Sequence, residues 1–93
     1  MFEGKDVIIR THSAGVHFGT LASRLGREVV LHNARRIWYW HGAFTLSAVA
    51  EKGISKSSKL SISIPHILLT EAIEIIPCSE AAAANLRALE AHE

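Results

Sequence analysis

The segment spanning residues 33–40 carries the residue types best suited to hold a ligand, because it contains both tryptophans, the one tyrosine and two adjacent arginines. In a β-strand, alternate side chains lie on the same face. Arg36, Trp38 and Trp40 would therefore share one face, and Arg35 would lie on the other. A guanidinium beside two indoles can bind an anion and stack on a flat π-system. The segment predicts a ligand site centred on Arg36, Trp38 and Trp40, with Arg35 adjacent.

The same aromatic residues also have a structural interpretation. Burying an indole contributes ~2–3 kcal/mol, which a small core needs, and an exposed tryptophan is a common anchor in protein interfaces. Trp38, Tyr39 and Trp40 could therefore be core, interface or a platform on which a base stacks.

Further candidate residues lie outside this segment. Residues 11–15 are small and polar and predict a turn, whose backbone N–H groups and Ser13 hydroxyl could hold a phosphate. Glu71 interrupts an apolar stretch, so it either points into a site, pairs with an arginine, or lies next to a bulge. The additional ligand-binding candidates are Arg10, His12, Ser13 and Glu71.

Most catalytic and metal chemistry is disfavoured by the sequence. The chain has six histidines, but no pair has the i, i+4 spacing of helical metal ligands. His17 and His32 could be neighbours on adjacent strands, although no third ligand is evident. Cys78 is the single cysteine and has no basic partner close in sequence. We expect a protein that is not an enzyme and that uses no metal or cofactor.

Length and charge restrict the remaining classes of protein. Ninety-three residues predict a single domain over residues 1–93 with a thin core, which favours a homo-oligomer. The net charge of +1 argues against binding long nucleic acids. No apolar run approaches the ~20 residues that cross a bilayer, and the first residues do not resemble a signal peptide. We expect a cytoplasmic protein without a membrane partner, and a lone cysteine suits that compartment.

The pattern of apolar residues predicts an α+β fold that is mostly β. The first forty residues predict an antiparallel meander of three or four strands, with a hairpin turn at Gly26. A short middle helix, two further strands and a C-terminal helix follow, with Thr45 and Ser79 as N-caps. The predicted strands span residues 5–11, 16–23, 28–32, 34–40, 60–64 and 67–76, and the predicted helices residues 45–52 and 80–91.

Three segments carry a resemblance to a known family: residues 9–16, residues 33–40 with the Gly42-Ala43 pair that follows, and residues 69–76. They resemble a set of small phage and prophage proteins that share a domain of unknown function, and the resemblance covers almost the whole chain. It implies a viral accessory protein acting in the bacterial cytoplasm. In size, setting and residue chemistry the chain is also similar to phage sponge proteins, which sequester nucleotide signals of bacterial defence with arginine and aromatic side chains.

Two functions are consistent with these observations. The first is a phage protein that binds and sequesters a small nucleotide-like signal, of the cyclic-nucleotide or cyclic-ADP-ribose type, without turning it over. The alternative is a structural or protein-interaction module, either a virion accessory or an inhibitor of a host protein. If Arg36 or Trp38 variants fold but no longer bind the ligand, the sequestering function is favoured. A stable complex with one host protein would favour the interaction module.

Overall fold

A computed structural model describes residues 1–92. It contains one antiparallel sheet of six strands and two helices, which confirms the predicted α+β, mostly β fold with a C-terminal helix. The elements in chain order are β1 (Asp6–Thr11), β2 (Val16–Leu25), β3 (Glu28–Tyr39), α1 (Leu46–Lys52), β4 (Lys59–Leu60), β5 (Ile64–Leu69), β6 (Ala72–Pro77) and α2 (Glu80–Ala88).

The first three strands form the predicted meander. β1 pairs with β2 and β2 pairs with β3, both antiparallel. The β2–β3 hairpin turns at Gly26, whose φ of 61° lies in the left-handed region that glycine adopts without strain. β3 is one continuous strand that passes through Asn33 at a φ of 51°. Asparagine tolerates this conformation better than most residues, so the irregularity predicted between residues 32 and 34 leaves the strand intact.

The sheet is curled, with its two edges brought toward each other. β5 pairs with β3 and β6 pairs with β1, so the two strands flank opposite edges of the meander. In a flat sheet, β5 and β6 would be about 19 Å apart, because the path β5–β3–β2–β1–β6 contains four strand spacings. Leu69 and Ala72 are only three residues apart in sequence, which limits their Cα separation to about 11 Å. The short connection therefore requires the sheet to bend, and the Ala72 N–H donates to the Arg27 carbonyl at the β2–β3 turn, 3.0 Å away.

Two predicted strands are wrong in detail. Residues 67–76 form parts of β5 and β6, because the chain reverses at Thr70 and Glu71 between the two edges of the curled sheet. Residues 60–64 contribute only the end of β4 and the start of β5. Pro65 lies inside β5 instead of ending a strand, which an edge strand permits because one of its edges needs no N–H donor. Three strands, rather than two, thus follow the middle helix.

Both faces of the curved sheet are covered. Val7, Ile8 and Ile9 are adjacent and all fully buried, because alternate residues of β1 enter different clusters. The helix-side cluster comprises Ile8, Phe18, Ile37, Val49, Ala50, Ile54, Leu60 and Leu86. The inner cluster, inside the curl, comprises Val7, Ile9, Leu21, Val29, Leu31, Ala34 and Leu69.

The helices begin where their capping residues predict. The Thr45 and Ser79 side chains accept hydrogen bonds from the N–H groups of Ala48 and Ala82, which satisfies otherwise unpaired donors of the first turn. α2 ends at Ala88, three residues earlier than predicted. No helix among residues 1–92 combines the length and apolar character needed to cross a membrane.

Arg87 fastens the end of α2 to the sheet. Its guanidinium donates to Asp6 Oδ1 at 3.0 Å, to Thr20 Oγ1 at 3.1 Å and to the Asn33 carbonyl at 2.6 Å. It also lies 4.4 Å from the centre of the Phe18 ring, within the range of a cation–π contact. These contacts place α2 across β1, β2 and β3 and so cover the helix-side cluster.

Candidate functional site

A cavity of about 260 Å³ lies beside the central part of β3. β2 and β3 form one wall, and the segment running from β4 into β5 forms the other. Ala34 belongs to the inner cluster and Ile67 packs against it, so the cavity borders the inner core. The lining residues are His17, Ala34, Arg35, Arg36, Trp38, Ser61, Ile62, Ile64 and Ile67.

Arg36 and Trp38 line this cavity together, as the alternation along the strand predicts. Trp38 remains 52% exposed, so part of its indole surface is open to a ligand. Trp40 is not in the lining and packs against the helix-side cluster. The expectation that all three share a face is wrong for Trp40, because β3 ends at Tyr39 and the β3–β4 register shifts between Ile37 and Tyr39.

Arg36 is held in place from its backbone and its side chain. Its N–H donates to Ser61 Oγ at 2.7 Å, and its carbonyl accepts from the Ser61 N–H at 2.8 Å. Its Nε donates to Nε2 of His17 at 3.2 Å. No carboxylate of residues 1–92 forms an ion pair with Arg36. Its positive charge therefore has no carboxylate partner among these residues, and its exposed side chain is held at Nε by His17.

His17 is the buried partner of Arg36 across the β2–β3 ladder. Only 1% of its surface is exposed. Burial, and secondarily the positive charge of Arg36, lowers the pKa of His17 to about 4. The ring is thus neutral at pH 7, and because Nε2 accepts a hydrogen bond, its proton lies on Nδ1. Nδ1 is buried and has no partner among the described residues.

Arg35 serves the fold more than a ligand. It is only 4% exposed, and its guanidinium donates to the Ser61 carbonyl at 2.9 Å and to the Leu86 carbonyl of α2 at 2.7 Å. Burial, together with the nearby charge of Arg87, lowers the pKa of Arg35. Arg35 thus links the cavity wall to the last turn of α2, where carbonyls lack helical partners, and its Nε and Nη1 are already engaged.

The charges around the cavity all have one sign. Arg35 and Arg36 line it, Lys59 Nζ lies 5.7 Å from the centre of the Trp38 ring, and no lining residue is acidic. Opposite charge is attracted to such a place, most strongly where the surroundings are poorly hydrated. The arrangement favours an anionic ligand that also has an apolar or aromatic surface.

The turn candidates form a separate cluster outside the cavity lining. Ser13 Oγ donates to Glu71 Oε1 at 2.9 Å, and the His12 N–H donates to the Glu71 carbonyl at 2.9 Å. Within the turn, Thr11 Oγ1 accepts from the Ala14 N–H at 2.8 Å. Of the alternatives left open for Glu71, pairing with an arginine is not found among residues 1–92, and Glu71 binds this turn instead. His12, Ser13 and Glu71 therefore join the β1–β2 turn to the β5–β6 turn.

Arg10 forms an exposed ion pair with a carboxylate. Its Nη1 lies 3.5 Å from Oε1 of Glu74 on the paired strand β6. A second cavity, of about 380 Å³, is lined in part by Arg10, Trp40, Phe44 and Glu74. The structure thus brings Arg10 close to Trp40 and separates both from Arg36. The ion pair makes this second cavity a weaker anion site than the first.

The histidines and the cysteine do not form a reactive centre in the described part of the chain. His17 lies opposite Arg36 and His32 opposite Thr20, so the expectation that these two histidines are neighbours is wrong. The His32 ring contacts His66 of β5 instead, with centroids 4.9 Å apart. No group of three potential metal ligands occurs within residues 1–92. Burial raises the pKa of the Cys78 thiol to about 12, so the thiol stays protonated.

His17 is the site residue that sequence reasoning missed as part of the ligand site. A signal for it exists, since it alternates with Val16 and Phe18 at a position where a buried strand would ordinarily have an apolar residue. The sequence could not show that its partner would be Arg36, because the β2–β3 register depends on irregularities near Gly19 and residues 21–23.

Comparisons with known proteins place the chain in a family without assigning an activity. Neither a curated protein nor a solved structure gives a significant match. One family profile, described as a domain of unknown function (DUF6948), matches residues 4–86 and so covers every residue of the cavity. The chain belongs to this DUF6948 family of domains of unknown function.

Proposed function

We propose that the protein binds a small nucleotide-like molecule in the cavity beside β3 and sequesters it without turning it over. The observation that carries the proposal is that Arg36, a cation without an ion-pair partner among residues 1–92, shares one cavity with the half-exposed indole of Trp38. An anionic group and an aromatic ring at short distance are the two features that nucleotides combine.

The hydrogen bonding of Arg36 supports a phosphate as the anion. Its Nε is engaged by His17, whereas neither of its terminal amino groups has a partner among residues 1–92. A guanidinium offers parallel N–H groups that match two phosphate oxygens, and such charged hydrogen bonds are roughly twice as strong as neutral ones.

Trp38 supplies the second half of the recognition. Stacking of a base on an aromatic side chain is worth ~1–3 kcal/mol and tolerates any base. The cavity of about 260 Å³ lies just below the ~300–1,000 Å³ usual for ligand pockets. It therefore suits one base or one sugar-phosphate unit, and a larger cyclic signal would extend over Trp38 or into a second copy of the chain.

Binding without turnover is supported by the state of the nearest base. His17 has a pKa of about 4 and its Nε2 already accepts a hydrogen bond from Arg36. A general base works best with a pKa near the operating pH. His17 is thus poorly suited to remove a proton from a bound ligand or from water.

The proposed setting is a phage accessory protein in the bacterial cytoplasm, where removal of a cyclic-nucleotide or cyclic-ADP-ribose signal would counter host defence. This part of the proposal rests on the resemblance carried by the Arg-Arg-Ile-Trp-Tyr-Trp segment and its flanking motifs.

The test is native mass spectrometry of the purified protein with cyclic di- and trinucleotides, cyclic ADP-ribose isomers, and the pair AMP and adenosine. We expect at least one phosphate-bearing member to be retained intact at a fixed ratio per subunit. Arg36→Ala should weaken phosphate-bearing ligands about tenfold or more, because a hydrogen bond to a charged group is worth ~1.5–3 kcal/mol.

Matched variants separate the two contributions. Trp38→Ala should weaken AMP and adenosine alike, whereas Arg36→Ala should affect AMP selectively. Arg27→Ala is the control, because Arg27 is exposed at the β2–β3 turn and outside the cavity lining. Unchanged binding in the Arg36 and Trp38 variants would place the ligand elsewhere, and no bound mass from any panel member would reject the proposal.

A protein-interaction module is the second candidate, favoured by one specific observation. Phe44 is fully exposed in the loop before α1, and Tyr39 is 43% exposed nearby. Exposed aromatic residues are frequent interface anchors. A host or virion protein captured by the wild type and lost in Phe44→Ala, without any nucleotide binding, would support this candidate.

A further inference from the structure

We infer that His17 is a positioning residue of the ligand site: its imidazole fixes the Arg36 guanidinium so that both terminal amino groups stay available to an anion. The inference rests on the proposed function in one respect: the anion that Arg36 binds is taken to be part of the proposed ligand. The arrangement of His17 and Arg36 is itself independent of any ligand.

The hydrogen bond between the two residues restricts a side chain that would otherwise move. Exposed arginine side chains have many rotamers, and ordering one on binding weakens affinity. The 3.2 Å bond from Arg36 Nε to His17 Nε2 orders the guanidinium before the ligand arrives. Because the acceptor is neutral, it leaves the positive charge intact, which a carboxylate at this position would not.

His17 is a poor choice for stability alone. Its protonated Nδ1 is buried without a partner, and an unsatisfied buried donor destabilises the folded state. Its neighbour across the β1–β2 ladder is Ile9, so an apolar residue would suit the position. A locally unfavourable residue in the wall of a binding cavity is expected where function, and not stability, determines the side chain.

The same geometry makes the positioning sensitive to acid. The charged groups that line the cavity with His17 are Arg35 and Arg36, both from β3, while β5 contributes the apolar Ile64 and Ile67. From β1, the apolar Ile9 lies opposite His17 in the ladder. No acidic residue is in the lining to compensate an imidazolium. Protonation would turn Nε2 from an acceptor into a donor and place a second positive charge beside Arg36, which releases the guanidinium.

The test compares His17→Leu with His17→Gln, using AMP as the probe and adenosine as the reference without phosphate. We expect His17→Leu to weaken AMP about tenfold, to leave adenosine unchanged, and to keep or raise Tm. His17→Gln, whose amide oxygen can accept from Arg36 Nε, should recover most of the AMP affinity. Unchanged AMP affinity in His17→Leu would overturn the inference. A lowered Tm together with an equal loss of affinity for AMP and for adenosine would also overturn it.

A second measurement needs no ligand and keeps the two proposals distinguishable. In ¹⁵N NMR spectra of the free wild-type protein, the Arg36 Nε–H should exchange slowly with water, and His17 should be a neutral Nδ1–H tautomer at pH 7. The slow exchange should disappear in His17→Leu and persist in His17→Gln. If no nucleotide binds, the proposed function is wrong, but these spectra still test whether His17 positions Arg36. Fast exchange of the Arg36 Nε–H in the wild type would overturn that inference.

Discussion

His17 couples the candidate site to the stability of the molecule, because its folded pKa of about 4 lies below the ordinary value of 6.5. Between these values the unfolded chain binds the proton and the folded chain does not. The contribution of His17 to the free energy of unfolding therefore rises with pH across this window. It is fully present above pH 6.5 and is lost as the pH falls toward 4. The difference in pKa corresponds to about 3 kcal/mol.

Chemical denaturation at pH 7 and pH 4.5 tests this pH dependence. The wild type should lose more of its free energy of unfolding on acidification than His17→Leu, by about 2–3 kcal/mol. The comparison cancels the acid titration of the carboxylates, which both proteins share. If the wild type and His17→Leu lose the same free energy of unfolding between pH 7 and pH 4.5, His17 is not buried in the neutral form.

The residues of the site show which parts of it a sequence can predict. The pairing of Arg36 with Trp38 follows from strand alternation alone and was predicted. Trp40 departs from that alternation because β3 ends before it, and His17 depends on the register between two strands. Alternation is a local property, whereas register depends on bulges and on the whole sheet.

At the level of elements, the junction between α1 and α2 depends on one glycine. Gly53 has a φ of +81°, and a Cβ added there would overlap the Asn85 side chain. Asn85 accepts from the Ile54 N–H at 2.8 Å and donates to the Ile54 carbonyl at 3.0 Å. The position thus needs both the left-handed backbone and the absence of a side chain.

Gly53→Ala should destabilise the protein by about 3 kcal/mol. Its backbone (φ 81°, ψ −166°) lies in a region that is essentially restricted to glycine and costs other residues ~1–3 kcal/mol, and displacing Asn85 breaks its hydrogen bonds. Gly15→Ala is the matched control: its φ is +84°, but nothing lies within 4 Å of an added Cβ. It should lose only the backbone contribution. Equal losses of Tm in the two variants would show that the contact with Asn85 carries no energy.

Elements with local signals were predicted better than those defined by long-range pairing. Both helix N-caps and the Gly26 hairpin were found because their chemistry is contained within a few residues. The β5–β6 reversal was missed because residues 67–76 are apolar on both sides of Thr70 and Glu71. The segment forms two strands because its halves pair with different edges of the sheet, β3 and β1, and no local pattern encodes that pairing.

At the scale of the whole molecule, the curled sheet leaves apolar edges exposed. β6 pairs only with β1, and β5 only with β3, in the described part of the chain. Leu68 on β5 is 56% exposed and Ile73 on β6 is 47% exposed. Unpaired strand edges with apolar side chains favour association with another chain. We therefore propose that the protein is a homo-oligomer that pairs through the β5–β6 region.

Light scattering coupled to size exclusion, at micromolar concentration, tests this association. The wild type should exceed the mass of one chain, and Ile73→Lys should lower it by placing a charge where apolar contact is needed, as edge lysines do in natural sheets. Ser57→Lys is the control, since it adds the same charge at an exposed position in the loop between α1 and β4, outside the two edge strands and the cavity lining. A monomeric wild type would contradict the proposal. A ligand larger than the 260 Å³ cavity could then extend only over Trp38, because there would be no second copy to share it.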